Sequence, residues 1–186
     1  IPLAKELAMA GASRKTNLAV TATLSRNGLD ISVTGGKALD GPMRQDLALL
    51  AQRHGLARLC WDDEVIATRF PPEQEFDGVV VVPPAGAFLQ ATQDGEAALL
   101  ADVRQIVEGA GRLADLFAGC GTFALPLSRV ASVHAVEGNA AMIKALDEGW
   151  RKADGLKPVT HEVRDLFRSP LIPDELAGFD AVVIDP

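Results

Sequence analysis

Leu113-Ala114-Asp115-Leu116-Phe117-Ala118-Gly119-Cys120-Gly121-Thr122-Phe123 joins an apolar, strand-forming run to a helix-forming one through two closely spaced glycines. Glycine lets the backbone turn tightly and lets a ligand approach where a side chain would collide. Working outward, residues 112–117 read as a strand, 122–130 as a helix, 132–137 as a strand and 140–153 as a helix. Residues 159–163 and 179–184 supply two more strands. Upstream, the valine run 78–82 is a buried strand. Residues 92–108 follow it as a helix with Ala97, Leu100, Val103, Ile106 and Val107 on one face. Strand and helix alternating through short loops predict an α/β, Rossmann-like, doubly wound parallel sheet. Ligands on such sheets bind beyond the carboxyl ends of the strands.

The opening block has a different rhythm. Residues 17–24 and 29–33 alternate with β-branched residues around Arg26-Asn27-Gly28, and Asn-Gly is a strong hairpin signal. Asp40-Gly41-Pro42 offers a cap and a first-turn proline for a helix to residue 54, with Leu47, Leu50 and Ala51 at helical spacing. Residues 58–61 and 64–69 are two further short strands. The expectation is a small α+β domain of antiparallel sheet plus helix over residues 1–75, preceding an α/β domain over 76–186.

Composition narrows the class. The chain has 186 residues, is 48% hydrophobic and 23% charged, and so can bury a sizeable core. No apolar run approaches the roughly 20 residues that span a bilayer, so no membrane association is expected. Cys60 and Cys120 make no disulfide framework, and His54, His134 and His161 are scattered. No metal and a reducing, cytoplasmic setting are expected. The net charge of −7 argues against a surface that grips nucleic acid everywhere. It is uneven, however: residues 1–60 hold eight Lys or Arg against four Asp or Glu (+4), and residues 61–186 hold ten against twenty-one (−11). An RNA contact would favour the first portion.

The glycine loop admits two ligands. Gly119-Cys120-Gly121-Thr122-Phe123-Ala124 matches a dinucleotide fingerprint, and Glu137 lies 18 residues beyond Gly119, where a carboxylate can accept both ribose hydroxyls. Glu137 serves a dinucleotide and S-adenosylmethionine equally. Asp115 separates them. A carboxylate beside the loop repels a pyrophosphate, but favours the ammonium and sulfonium of S-adenosylmethionine. Asp165 ends the strand 159–163 segment, where it can accept from an adenine amino group or cap a helix. The last strand runs into Asp185-Pro186, at the place where methyltransferases acting on planar atoms carry Asp-Pro-Pro or Asn-Pro-Pro.

Four segments resemble the RNA (uracil-C5-)-methyltransferase family, which makes 5-methyluridine in ribosomal or transfer RNA. Asp115 to Phe123 with Leu125-Pro126-Leu127 looks like its first motif, and Val136-Glu137-Gly138-Asn139 like its second. Asp180 to Pro186 resembles the start of its Asp-Pro-Pro-Arg motif. Pro83 to Thr92, containing Phe88-Leu89-Gln90, is similar to its Phe-x-Gln-x-Asn segment. The resemblance covers roughly residues 10–186. It implies donor contacts at Gln90, Phe117, Thr122, Glu137 and Asp185, although some members carry Tyr where Phe117 stands and Asn where Thr122 stands. With the loop residues, the expected donor-binding set is Gln90, Asp115, Phe117, Gly119, Gly121, Thr122, Glu137, Asp165 and Asp185.

Methylating uracil C5 requires a thiolate that adds at C6 and a base that removes the C5 proton. The resemblance places both beyond the Asp-Pro-Pro-Arg motif. A piece of a longer protein is therefore expected, since the chain opens on Ile1 and stops at Pro186 within that motif. Cys120 is expected to be a small, half-buried, inert thiol, and Cys60 a core residue. The +4 block would line the RNA cleft, and no protein partner is expected. Two other functions share these features: an RNA base-amino methyltransferase, and a non-catalytic RNA-binding module that keeps the fold. An NAD-dependent oxidoreductase is disfavoured by Asp115.

Overall fold

A computed structural model describes residues 2–12 and 16–186. The chain forms two compact units, Ile1–Gln74 and Glu75–Pro186.

The first unit opens with helix α1 (Pro2–Gly11), which the sequence reading did not assign. Strands β1 (Ala19–Ser25) and β2 (Gly28–Thr34) form the expected antiparallel hairpin. Helix α2 (Gly41–Arg53) starts where Asp40 Oδ1 accepts from the Met43 N–H at 2.8 Å, with Pro42 in its first turn. Strands β3 (Arg58–Trp61) and β4 (Glu64–Thr68) complete a sheet of order β1-β2-β3-β4. The expectation of a wholly antiparallel sheet fails at one pair: β2 and β3 are parallel, with Asp30 opposite Arg58. The reason is α2, whose crossover returns the chain to the same end of the sheet before β3 begins. Leu7, Ile31, Val33, Leu47, Leu50, Leu59 and Trp61 form the buried core between helices and sheet. Cys60 is buried, as expected of a core residue, and burial pushes its thiol up.

In the second unit, strands β5 (Gln74–Phe76) and β6 (Val79–Val81) pair as a two-stranded ribbon. The valine run is thus buried, with Val79 and Val81 in the core, but it stands outside the main sheet. Helix α3 (Gln93–Ile106) follows an N-cap at Thr92, whose Oγ1 accepts from the Gly95 N–H. Of its expected apolar face only Leu100 is buried within the helix, and Ile106 is 80% exposed.

The main sheet consists of β7 (Arg112–Leu116), β8 (Ser132–Glu137), β9 (Val159–Val163) and β10 (Ala181–Ile184). Its order is β10-β7-β8-β9, and all three pairings are parallel. The strand carrying the glycine loop is therefore central, with a neighbour on either side. Helix α5 (Ala140–Lys152) connects β8 to β9 and buries Met142, Ile143, Ala145 and Leu146. Its Gly149 lets the ribbon lie close, since a Cβ there would stand 2.7 Å from Val81 Cγ2.

The helix expected over residues 122–130 is only the short α4 (Ala124–Leu127). Pro126 has no N–H to give the carbonyl four residues before it, so the ladder is interrupted. Bonds from Leu125 N to Gly121 O and from Ser128 N to Ala124 O carry the turn past it. A further single-turn helix, α6 (Pro173–Leu176), also escaped the sequence reading.

Leu125 is fully buried and locks α4 beneath the glycine loop. Replacing it with Ala should destabilise the second unit by roughly 2–5 kcal/mol, the cost of lost burial plus the cavity left behind. Urea denaturation measures this, and a change below about 1 kcal/mol would contradict the packing described.

Candidate functional site

Parallel register gathers three carboxyl groups. Asp115 on β7 lies opposite Val183 of β10 and Ala135 of β8. Asp185 and Glu137 each stand two residues further along those neighbours, and side chains two apart share a face of a sheet. Two strands thus deliver a carboxylate on either side of Asp115, at the carboxyl ends where such sheets bind ligands.

Beyond Leu116 the chain turns sharply. Phe117 has φ 64°, the left-handed region that bulky residues avoid, at a cost on the order of 1–3 kcal/mol. Gly119 (φ 56°) and Gly121 (φ 99°) are also left-handed. The two glycines do different work. A Cβ on Gly121 would stand 2.7 Å from Leu125, so this glycine serves packing. A Cβ on Gly119 would meet nothing within 4 Å, so this one borders open space. The loop is fastened by bonds from Ala118 N to Val136 O and from Gly121 N to Ala118 O.

Glu137 secures the open side of the loop. Its Oε2 accepts from the Gly119 N–H at 3.1 Å and its Oε1 from the Asn139 N–H at 2.8 Å. The carboxylate thereby links two strand ends, and each oxygen retains a further lone pair for a ligand hydroxyl. Thr122 is half-buried on the same loop.

Asp115 is 1% exposed. Its Oδ2 has no hydrogen-bond partner. Burial first, and then the charges of Asp185 and Glu137, push its carboxyl up to about 7, against the pull of the nearby Ala124 backbone N–H. The sequence reading set Asp115 beside the loop; the structure buries it beneath. A buried acceptor without a partner is costly.

Gln90 and Asp185, 95 residues apart, are brought together: Gln90 Nε2 donates to Asp185 Oδ2 at 3.2 Å. Asp165 opens a turn rather than capping a helix, since no helix begins between β9 and α6. Its Oδ1 accepts from the Phe167 and Arg168 N–H groups at 3.1 and 3.2 Å. It still borders the Glu137 turn, since a Cβ on Gly138 would lie 3.9 Å from its Cα. Phe167 was not singled out from the sequence. Its ring tilts against that of Phe117 at 5.1 Å between centroids and is 82% exposed. The available signal was an aromatic two residues past a strand-end acid. Cys120 is buried rather than half-buried, and burial pushes its thiol up to about 12. A separate cavity of about 440 Å³, lined by Arg112, His134, Glu162 and Phe179, opens at the amino-terminal part of the strands.

No protein-family model matches the chain. Among curated proteins it is 45% identical over 182 residues to an uncharacterized RNA methyltransferase of Rhizobium meliloti, covering 98% of this chain and 44% of the relative. The curated relatives it resembles at this level are named RNA methyltransferases. It spans less than half the length of such relatives. A 23S rRNA (uracil(1939)-C(5))-methyltransferase of Chromohalobacter salexigens is 39% identical over 104 residues, or 54% of this chain and 21% of that protein. In fold, the chain resembles Pyrococcus abyssi tRNA (uracil-54, C5)-methyltransferase, solved with S-adenosyl-L-homocysteine. That likeness has a TM-score of 0.68 at 17% identity, over 90% of this chain and 42% of the other. The second unit's parallel sheet with its helices is the Rossmann-like α/β fold of that structure.

The buried carboxyl makes stability depend on pH. An ordinary aspartate releases its proton near 3.8, whereas folded Asp115 keeps its own to about 7. Between those values the folded state binds the extra proton, so the stability contributed by this group falls as pH rises. Asp115→Asn removes the effect. The variant's unfolding free energy relative to the parent should climb by up to about 1.4 kcal/mol per pH unit from pH 4 to 7. A difference that stays flat would show that Asp115 ionises normally.

Proposed function

We propose that the second unit is the S-adenosylmethionine site of an RNA (uracil-C5)-methyltransferase whose remaining machinery lies in parts of the protein outside this chain. The observation that carries this reading is the gathering of Asp115, Glu137 and Asp185 at the carboxyl ends of neighbouring strands, with Glu137 bonded to the Gly119 N–H beside open space. Three carboxylates around a bare glycine suit a ligand with a positive charge and hydroxyl donors, and repel a pyrophosphate. In this reading Glu137 and the Gly119 backbone hold the ribose side, Asp165 and Phe167 border the adenine, and Phe117 and Thr122 complete the wall. Asp115 faces the methionyl arm. Bound here, S-adenosylmethionine supplies an electrophilic methyl group on a sulfonium.

Gln90 and Asp185 then have a positioning role. Their bond at 3.2 Å ties the Phe88-Leu89-Gln90 segment to the Asp185-Pro186 strand end. Of those two segments, Phe88-Leu89-Gln90 is the one whose resemblance points to uracil. A Gln amide presents both donor and acceptor, as a uracil edge does.

The chain's own thiols cannot start the reaction. Attack at C6 needs a thiolate, and both Cys60 and Cys120 are buried with their thiols pushed up. Nucleophile and base are accordingly assigned to the rest of the protein. Residues 1–75, which include the +4 block, are read as the domain lining the RNA cleft, and the setting as cytoplasmic.

Two experiments test the reading. Glu137→Ala should weaken S-adenosylhomocysteine binding at least tenfold by calorimetry while leaving a cooperative thermal transition; unchanged affinity would displace the site. The full-length protein should form a denaturation-resistant covalent adduct with RNA containing 5-fluorouridine. Methylation without such an adduct would point to the base-amino reaction instead.

A further inference from the structure

Phe167 is 82% exposed, so burial does not hold its ring where it stands. Its position comes from the chain on either side. Leu166 lies in one buried cluster with Leu116 and Val136. The stretch from Asp165 to Ser169 closes on itself, with the Arg168 and Ser169 N–H groups donating to Asp165 O at 3.2 and 2.8 Å. Beyond Ser169 the chain runs irregularly to α6, and its carbonyls there have no strand or helix ladder to join.

Arg164 supplies bonds in their place. Its main-chain N–H donates to Glu137 O at 2.9 Å, which fixes its backbone to the end of β8. Its guanidinium then reaches along the turn: Nε donates to Ser169 O at 2.6 Å and Nη2 to Pro170 O at 2.9 Å. Nη1 and Nη2 also donate to the two carboxylate oxygens of Glu175, at 2.6 and 3.1 Å. Glu175 Oε2 accepts in turn from the Ile172 N–H at 2.9 Å, at the start of α6. An exposed ion pair contributes little. This side chain is only 16% exposed, and its planar fork satisfies two main-chain carbonyls and a carboxylate together, which sets geometry.

The consequence lies at the tip of that turn. Phe167 meets Phe117 at 5.1 Å between centroids, with the rings tilted 52°. Phe117 is fixed by its left-handed turn after β7, whereas Phe167 is fixed only as well as residues 165–170 are. We propose that Arg164 is a positioning residue for the purine end of the donor: it acts through Phe167, holding the turn so that the exposed ring is placed to stack on a flat base. The inference rests on the donor-site reading given above and adds a residue to it. Lysine would keep the charge and lose the fork.

A double-mutant cycle on the full-length protein tests this. The ligands are S-adenosylhomocysteine and 5′-methylthioadenosine, which share the purine and differ in the arm, with affinities read by calorimetry. Phe167→Ala should weaken both by about tenfold, the scale of one lost aromatic–base stack. Arg164→Ala should weaken both by a similar factor, and the double variant no more than Phe167→Ala alone. In methyl transfer to unmodified ribosomal and transfer RNA, Arg164→Ala should raise the donor KM and leave kcat within about twofold. Arg164→Lys, which keeps the charge and guards against a misfolded alanine variant, should lose affinity for both ligands while retaining a cooperative thermal transition. Losses that add in the double variant place the action of Arg164 elsewhere than through Phe167 and overturn the proposal. Unchanged affinity in both Arg164 variants overturns it too. Either result leaves the donor site standing where the parent binds both ligands and Glu137→Ala does not. Failure of the parent to bind either ligand overturns site and positioning role together.

Discussion

The burial of the Asp115 carboxyl beneath the glycine loop is the constraint on which the site depends. The loop is the chain between that central strand and the start of α4. Any carboxyl fixed at this depth surrenders its hydration, a cost of several kcal/mol for the charged form. The charges that act on it, those of Asp185 and Glu137, are both negative and add to that cost. What remains is a buried acceptor without a partner, placed where parallel strands end.

Around this point each local feature has a separate physical cause. The loop can turn back because Phe117, Gly119 and Gly121 take left-handed backbone conformations. It is held open because Glu137 bonds the Gly119 N–H from the neighbouring strand. It is supported from below because Gly121 leaves room for Leu125. Removing a bond of Glu137 would loosen the loop, whereas adding a side chain at Gly119 would narrow the space beside it. Positioning and occupancy are thus controlled by different residues.

Much of this arrangement could be read before the structure. The alternation of strand and helix located β7, β8, β9 and β10, and hence placed Asp115, Glu137 and Asp185 at strand ends. Spacing alone put Glu137 opposite the loop. Other features leave no period to detect: β5 has three residues, and α4 and α6 have four each. The parallel pairing of β2 with β3 depends on where α2 returns the chain, which is a property of packing. Phe117 in a left-handed conformation, the bond between Gln90 and Asp185, and the missing partner of Asp115 are all tertiary. Asp165 shows the boundary well, because the sequence allowed a helix cap or a ligand acceptor and the structure displays a turn held by its carboxylate.

Less than half of the Rhizobium meliloti relative's length is represented by this chain, and the reading proposed for it concerns donor binding. The central claim concerns donor binding, and a crystal structure of the chain grown with S-adenosylhomocysteine tests it most directly. The expected density has ribose hydroxyls on Glu137, the sugar passing over Gly119 and the methionyl arm on the side of Asp115 and Asp185. Density in the cavity lined by Arg112 and Phe179, or a methionyl arm directed away from Asp115 and Asp185, would contradict it.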